Sequence, residues 1–191
     1  MPHVEVRPAQ SQDLPAIALV RALTWQSAYA GLVPDAVLAP LTEPAELDAW
    51  VDRLATDGST TWLVAEADRD LIGFCGYGRE REATTPWRGE IYALYVQPQR
   101  WRRGAGTTLL HAAMDDLAER GDDVVSLWVL HGNEAALSFY RRHGFHETGE
   151  TVTDAGGLVE LRMVLGLGNR ADIHRHPGRA SGGDAAHPRP T

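Results

Sequence analysis

Apolar residues along this chain switch between a period of two and a period near 3.6, and each switch marks a change of element. Residues 3–7 alternate as a short strand does. Ser11–Asp13 then offer a helix cap, and Leu14, Ile17, Ala18, Arg21, Ala22, Trp25 and Tyr29 recur at helical spacing until Gly31 and Pro34 end the run. A second helix starting at Pro44 carries Leu47, Trp50, Val51 and Leu54 on one face. Residues 60–67 read as a strand, 68–70 as a turn and 71–78 as the hairpin partner. A third apolar strand, 90–96, runs into a loop with two glycines. The spacing then predicts a helix over 107–120, with Leu109, Leu110, Ala113, Met114 and Leu117 on its apolar face. Residues 123–130 predict a buried strand, 133–142 a short helix, and 144–152 with 157–165 a closing β-hairpin.

After residue 165 the pattern stops. Residues 166–191 are rich in Gly, Pro, Arg and His with little to bury, so a disordered tail is expected after a single domain over 1–165. The three histidines of that segment have no cysteine or clustered carboxylates beside them, so no metal site is expected.

Composition narrows the class. At 191 residues, 43% hydrophobic and 23% charged, the chain has the make-up of a soluble globular domain. A net charge of -8 opposes general nucleic-acid binding, which needs a broad cationic surface. The single cysteine, Cys75, excludes an internal disulfide and suits a reducing compartment. With no apolar run of membrane-spanning length and no signal peptide, a cytoplasmic protein without membrane partners is expected. All 18 basic residues are arginine, so the chain has no lysine side chain on which to be acylated.

Residues 100–110, RWRRGAGTTLL, sit where a strand stops and a helix starts. Backbone N–H groups at a helix start converge on phosphate, and Gly104 and Gly106 remove Cβ atoms where a ligand would approach the backbone. Arg102 and Arg103 add charge for several phosphates. No Gly-Lys-Ser/Thr follows, which excludes a nucleotide-triphosphatase P-loop, and the third glycine of a dinucleotide fingerprint is missing. A basic surface turn remains the other reading of these residues alone.

Four segments in order extend the pattern: GEIYALYV, then PQRWRRGAG with TTLL, then SLWVL with Asn133, then NEAALSFYRRHGF. In these the chain resembles the GNAT superfamily of acetyl-CoA-dependent N-acyltransferases over roughly residues 4–165. One departure is Trp101, which stands where the family loop usually has Gln or Arg. The resemblance implies a single α/β domain with a mixed, mostly antiparallel sheet flanked by helices and a splayed central strand pair. It implies that coenzyme A pyrophosphate lies against the amides of Arg102, Arg103, Gly104, Ala105 and Gly106, with Thr107 nearby. Pantetheine would add like a strand, with the amide of Val96 binding it and that of Leu94 facing the thioester oxygen.

Acetyl transfer to an amine needs a base, because a lysine-like amine with a pKa of ~10.4 is almost wholly protonated near neutrality, and an acid for the leaving thiolate. Glu90 matches the family's general-base position in its spacing to the loop; otherwise it is a solvated strand-start residue. On a regular strand it shares a face with Tyr92 and Leu94, and four residues at ~3.3 Å put it about 13 Å from the thioester, so a water relay or a β-bulge is required. Tyr140 matches the tyrosine that points at the coenzyme sulfur, against a packing role in a stripe with Ala136, Phe139 and His143. Asn133 reads as a helix N-cap that also binds pantetheine, His143 as a helix-end residue and Cys75 as a buried inert thiol. Trp25 and Tyr29, in a stretch resembling the first helix of a bacterial subset of the family, wall the acceptor site or belong to the core; Trp25 is expected to be structural and Tyr29 the more exposed. Glu80, Glu82 and Glu90 give that site an acidic character suited to a cationic amine, or are plain surface charge.

The expected function is metal-free N-acetyl transfer from acetyl-CoA to a primary amine of a small molecule by direct attack. The alternatives are acetylation of protein N-termini or lysines, or a non-catalytic acyl-CoA-binding sensor. A homodimer is compatible with the sequence, which does not set the oligomeric state.

Overall fold

Strand alternation and helical stripes resolve into one seven-stranded sheet in the computed structural model, which describes residues 4–81, 88–154 and 156–168. The strands are β1 (Glu5–Pro8), β2 (Thr61–Ala67), β3 (Asp70–Arg79), β4 (Arg88–Val96), β5 (Val124–Leu130), β6 (His146–Thr153) and β7 (Val159–Gly166). Their spatial order is β1-β2-β3-β4-β5-β7-β6, and the β4–β5 pair alone runs parallel among them. Five helices accompany the sheet: α1 (Leu14–Ala28), α2 (Asp35–Leu38), α3 (Pro44–Thr56), α4 (Ala105–Glu119) and α5 (Glu134–Arg142). The expected α/β class, mixed sheet and flanking helices are all present. The one added helix, α2, is four residues long, too short for any periodicity to reveal.

Two hydrophobic layers follow from the helix stripes. On one face, Leu109, Leu110, Ala113, Met114 and Leu117 of α4 are fully buried against Cys75, Ile91, Val125 and Leu127, with Leu137 and Tyr140 of α5 beside them. On the other, Ile17 and Val20 of α1 and Leu54 of α3 pack on Val64, Phe74 and Ala93. Asp68 and Arg69 both take positive φ, 55° and 71°, which makes the expected β2–β3 hairpin a two-residue turn whose twist matches its strands.

The sheet departs from regularity where the site will lie. Gly76 pairs with Ala93 but Tyr77 pairs with Ile91, so Tyr92 is an extra residue bulged out of β4. Further along, Arg88 to Ile91 of β4 pair with Val124 to Leu127 of β5, and there the shared ladder stops, although both strands continue. This is the splayed pair the family resemblance implies. At the far edge, β6 is exposed along its whole length, with charged residues and a register break between Glu147 and Thr151 that blunt it against further pairing.

The domain boundary expected at 165 moves outward. β7 continues to Gly166, and Leu167 is 1% exposed, its amide donating to the Asp123 carbonyl at 2.7 Å. A lone apolar residue after the periodic run gave no sequence signal of that docking. The remainder of the expected tail, from residue 169, and Glu82 lie outside the described residues.

Arg7 of β1 ties the first helix to the sheet. It donates to both oxygens of Asp13 at 2.7 and 3.0 Å and to Glu66 of β2, while the Gln10 amide also donates to Asp13. The Arg7 guanidinium holds the Asp13 carboxyl below its ordinary range. A depressed carboxyl contributes stability that is complete above its unfolded pKa and lost as pH falls through the folded one. Asp13→Asn is therefore expected to lower stability at pH 7 by roughly 1 to 3 kcal/mol. The gap between the two proteins should close below about pH 4, as followed by urea unfolding at each pH; a gap that stays constant down to pH 2 would remove this account.

Candidate active site

The site grows from the open edge of β4. The Gln97 amide donates to the Ile72 carbonyl, so alternation turns the N–H and C=O groups of Val96 and Leu94 away from β3, toward the gap beside β5. Two donors meet the Val96 carbonyl there: Thr24 Oγ1 of α1 at 3.1 Å and Trp101 Nε1 at 2.6 Å. Trp101, the departure from the family loop, thus lies over the end of the gap and is 41% exposed.

The basic loop closes the same end. Arg102 has φ 60° and Gly104 φ 93°, two left-handed residues that turn successive amides to one side. The amides of residues 102–106 donate to no backbone carbonyl among the described residues, as the start of α4 requires. Arg102, Arg103 and Gly104 are exposed, Gly106 is half-buried and Ala105 is buried. Thr107 pairs its hydroxyl with His143 Nε2 at 3.2 Å, and His143 Nδ1 meets the Phe139 carbonyl at 2.8 Å. His143 is the C-cap of α5, in keeping with its expected helix-end place. At the other end of α5, Asn133 is the N-cap, its Oδ1 accepting from the Ala136 amide at 3.1 Å.

Tyr140 packs among Phe139 and Phe145, with ring centroids 5.2 and 5.6 Å away, in the same layer as Leu94 and Val96. Burial pushes its phenol well above the ordinary range, so it keeps its proton at any working pH. Cys75, paired in register with Leu94, is fully buried and its thiol is likewise pushed up by burial.

The bulge at Tyr92 overturns the regular-strand expectation for Glu90. Ile91, Leu94 and Val96 face the α4 layer, whereas Ala93 and Tyr95 face the α1 side. Glu90 therefore shares its face with Ala93 and Tyr95, not with Leu94. It is 2% exposed and not a solvated strand start; the Arg81 amide donates to its Oε2 at 3.1 Å and the Arg81 guanidinium to its Oε1. Glu80 is not surface charge either. It is buried against Ser126 Oγ at 2.8 Å, with Arg162 and Arg88 beside it, and does not line the cavity described next.

On the α1 side of the gap lies a cavity of about 470 Å³, lined among others by Trp25, Tyr29, Glu90, Tyr95, Trp128 and Glu160. Trp25 and Tyr29 meet edge to face at 4.9 Å, and the Trp25 indole donates to the Tyr95 hydroxyl at 3.0 Å. Burial, with Tyr95 next to it, raises the Tyr29 phenol. Both aromatics are half-buried and both line the cavity, so Trp25, expected to be structural, stands in the wall beside Tyr29. Tyr95, Arg81 and Arg21 were not legible as site residues: each sits in an ordinary apolar or charged run, and only the bulge and the α1 packing turn them inward.

An open central strand pair beside a basic strand–loop–helix turn is the architecture that the resemblance to acetyl-CoA-dependent acyltransferases implies. Residues 24–145 match the model of the acetyltransferase (GNAT) family, and the chain belongs to that family. The uncharacterized N-acetyltransferase YuaI of Bacillus subtilis is 28% identical over 165 residues, covering 86% of this chain and 92% of that one. Mycothiol acetyltransferase of Acidimicrobium ferrooxidans is 32% identical over 144 residues, 75% of this chain; the chain spans less than half, 43%, of that protein. Among solved structures, the PaiA N-acetyltransferase of Thermoplasma acidophilum in complex with coenzyme A has a TM-score of 0.63 at 24% identity, covering 84% of this chain and 98% of that one. Ribosomal-protein-alanine N-acetyltransferase from Brucella melitensis has a TM-score of 0.64 at 26% identity, with the same coverage. The protein is an acyltransferase, an N-acetyltransferase of the GNAT family.

The placement of Cys75 carries a direct expectation. A thiol that is buried and raised in pKa is nearly unreactive, so Cys75 should resist a chromogenic disulfide reagent in the native protein and titrate fully in denaturant. Rapid labelling of native protein would place Cys75 elsewhere.

Proposed function

We propose that this enzyme moves the acetyl group of acetyl-CoA to a primary amine of a small molecule by direct attack. The observation that carries the reading is the gap between β4 and β5, which joins the basic loop on one side to the cavity holding Glu90 on the other. The amides of residues 102–106 suit a pyrophosphate, and the outward amides of Leu94 and Val96 suit the thioester oxygen and the pantetheine chain. Asn133 and Thr107 stand at the two helix ends that flank this path. A cavity of about 470 Å³ is the size of a small-molecule site. Mycothiol acetyltransferase and an L-methionine sulfoximine/L-methionine sulfone acetyltransferase are among the relatives, which supports a small acceptor. The likeness to a ribosomal-protein-alanine N-acetyltransferase favours a second reading, a protein N-terminus as acceptor.

In the proposed reaction the amine nitrogen bonds to the acetyl carbon and the carbon–sulfur bond breaks. The amine proton passes by water to Glu90, whose place on the cavity face lets it act without touching the thioester. Tyr140, kept protonated by its burial, gives its proton to the departing sulfur. Trp25 and Tyr29 wall the acceptor. Because Cys75 is buried and held as a thiol, a cysteine-linked acetyl intermediate has no support.

Release of coenzyme A thiol across a panel of amines and peptides tests the whole reading. Glu90→Gln should lower kcat near neutrality by up to about 10² to 10⁴, and recover as pH rises and the acceptor loses its proton unaided. Tyr140→Phe should lower kcat by less, with acetyl-CoA affinity retained, since a thiolate with pKa ~8.5 leaves tolerably without help. Wild-type rates for Glu90→Gln across pH would remove Glu90 as the base.

Binding of acetyl-CoA is tested separately at Gly106. A Cβ there would meet Phe139 and Val96 only at 3.6 to 3.8 Å, so the fold accommodates it, whereas Gly104 at φ 93° strains any side chain. Gly106→Val should weaken acetyl-CoA binding by about tenfold or more, as crowding of a close-fitted path does. Arg103→Ala should cost less and in a salt-dependent way. Calorimetric titration reads both, and unchanged affinity in folded Gly106→Val would refute the cradle.

A further inference from the structure

The cavity beside Glu90 has two electrical ends. At the end formed by α1 and α3, the Arg21 guanidinium lies between two indoles, its central carbon 4.7 Å from the Trp25 ring centroid and 4.4 Å from that of Trp50. Unlike Arg7, Arg81 and Arg162, it forms no ion pair or hydrogen bond among the described residues. Burial pulls its pKa below the usual guanidinium range and Arg53 nearby adds to that effect, while Tyr95, Tyr29 and Glu46 oppose it. The flanking indoles hold the cation by their faces but accept none of its N–H groups. A planar fork of five donors is thus held rigid and lines the cavity without an acceptor of its own.

At the opposite end, Glu90, Glu160 and Asp154 line the cavity, with Arg81 paired to Glu90 beside them, so three carboxylates face one cation. Burial raises the Glu160 carboxyl, with Asp154 and Glu90 adding to the effect and Arg81 opposing it. A molecule that is cationic at one end and anionic at the other meets a complementary charge at each.

We infer that Arg21 is a specificity-determining residue and that the acceptor is an amino carboxylate, an amino acid or close derivative, with its carboxylate on Arg21 and its amine toward the acidic end. Planar carboxylate is the group that matches the guanidinium fork bidentately. This inference rests on the acetyltransferase reading above and narrows its substrate class.

The test uses the full chain, acetyl-CoA and a panel of L-amino acids, each beside its carboxamide, which keeps the amine and removes the negative charge. At least one amino acid should release coenzyme A with a kcat/KM about tenfold or more above its carboxamide, the size of a lost charged hydrogen bond. Arg21→Met, which keeps length and apolar contact with the indoles, should erase that preference while leaving acetyl-CoA affinity unchanged; Arg21→Lys should restore part of it. A merely structural Arg21 would slow acid and amide alike. That outcome, or equal use of both by the wild type, overturns the inference. Calorimetry with the same amino acids and coenzyme A present separates the two levels of the argument. Carboxylate binding that Arg21→Met abolishes upholds the role of Arg21 even if no amine turns over, which would count against acetyl transfer alone. Absence of binding by every amino acid, with carboxamides acetylated normally, overturns the Arg21 assignment and leaves acetyl transfer standing.

Discussion

The structure depends on a parallel strand pair that stops pairing halfway. From Arg88 to Ile91, β4 shares a ladder with β5; from Tyr92 onward its outward N–H and C=O groups have no strand to meet. Buried backbone groups seldom go without partners, so the surroundings must supply them or leave them reachable. Both solutions occur side by side. Thr24 and Trp101 reach across to the Val96 carbonyl, while the neighbouring amides face the gap between the basic loop and the aromatic cavity. The Tyr92 bulge belongs to the same arrangement, because one extra residue carries β4 past β3 and reverses the faces on either side of it.

That reversal sorts the buried acids. Glu80 is held by Ser126, by Arg162 from β7 and by Arg88, and Arg162 is itself also paired to Glu150 at 2.6 Å. Removing one member would strand a buried charge, so this cluster reads as a brace between strands. Glu90 is just as buried, yet its cationic partner Arg81 is 65% exposed along its side chain and stacks over Tyr92. The Glu90–Arg81 pair is thus buried at its carboxylate and open to solvent at its guanidinium. Of these two carboxylates ten residues apart, only the one whose cationic partner reaches solvent lies on the cavity.

Aromatic residues give the acceptor side its shape. Trp25, Tyr29 and Tyr95 form a hydrogen-bonded and edge-stacked group that joins α1 to β4 across the gap, and Trp50 of α3 completes the enclosure of Arg21. The same contacts that fasten α1 to the sheet therefore define the cavity wall, which is why core and pocket are not separable roles here.

Much of this was legible in the residues. Periodicity located the main strands and helices because α4 and the central strands each bury one continuous stripe, and a stripe is a local property of spacing. Gly104 and Gly106 marked the loop for the same reason, since positive φ and close approach select glycine locally. The short helix Asp35–Leu38 and the docking of Leu167 escaped because neither repeats often enough to form a pattern. The face of Glu90 escaped because a bulge is decided by how two strands pair, and nothing in EIYALYV announces which residue will be extra. Arg21 escaped for a related reason: along the helix it is one arginine among apolar neighbours. Only packing of α1 against α3 and β4 sets it between two indoles, without an ion pair among the described residues and facing a cavity. Local spacing set the elements; burial and charge at the site are sums over distant neighbours, and only the tertiary structure brings those together.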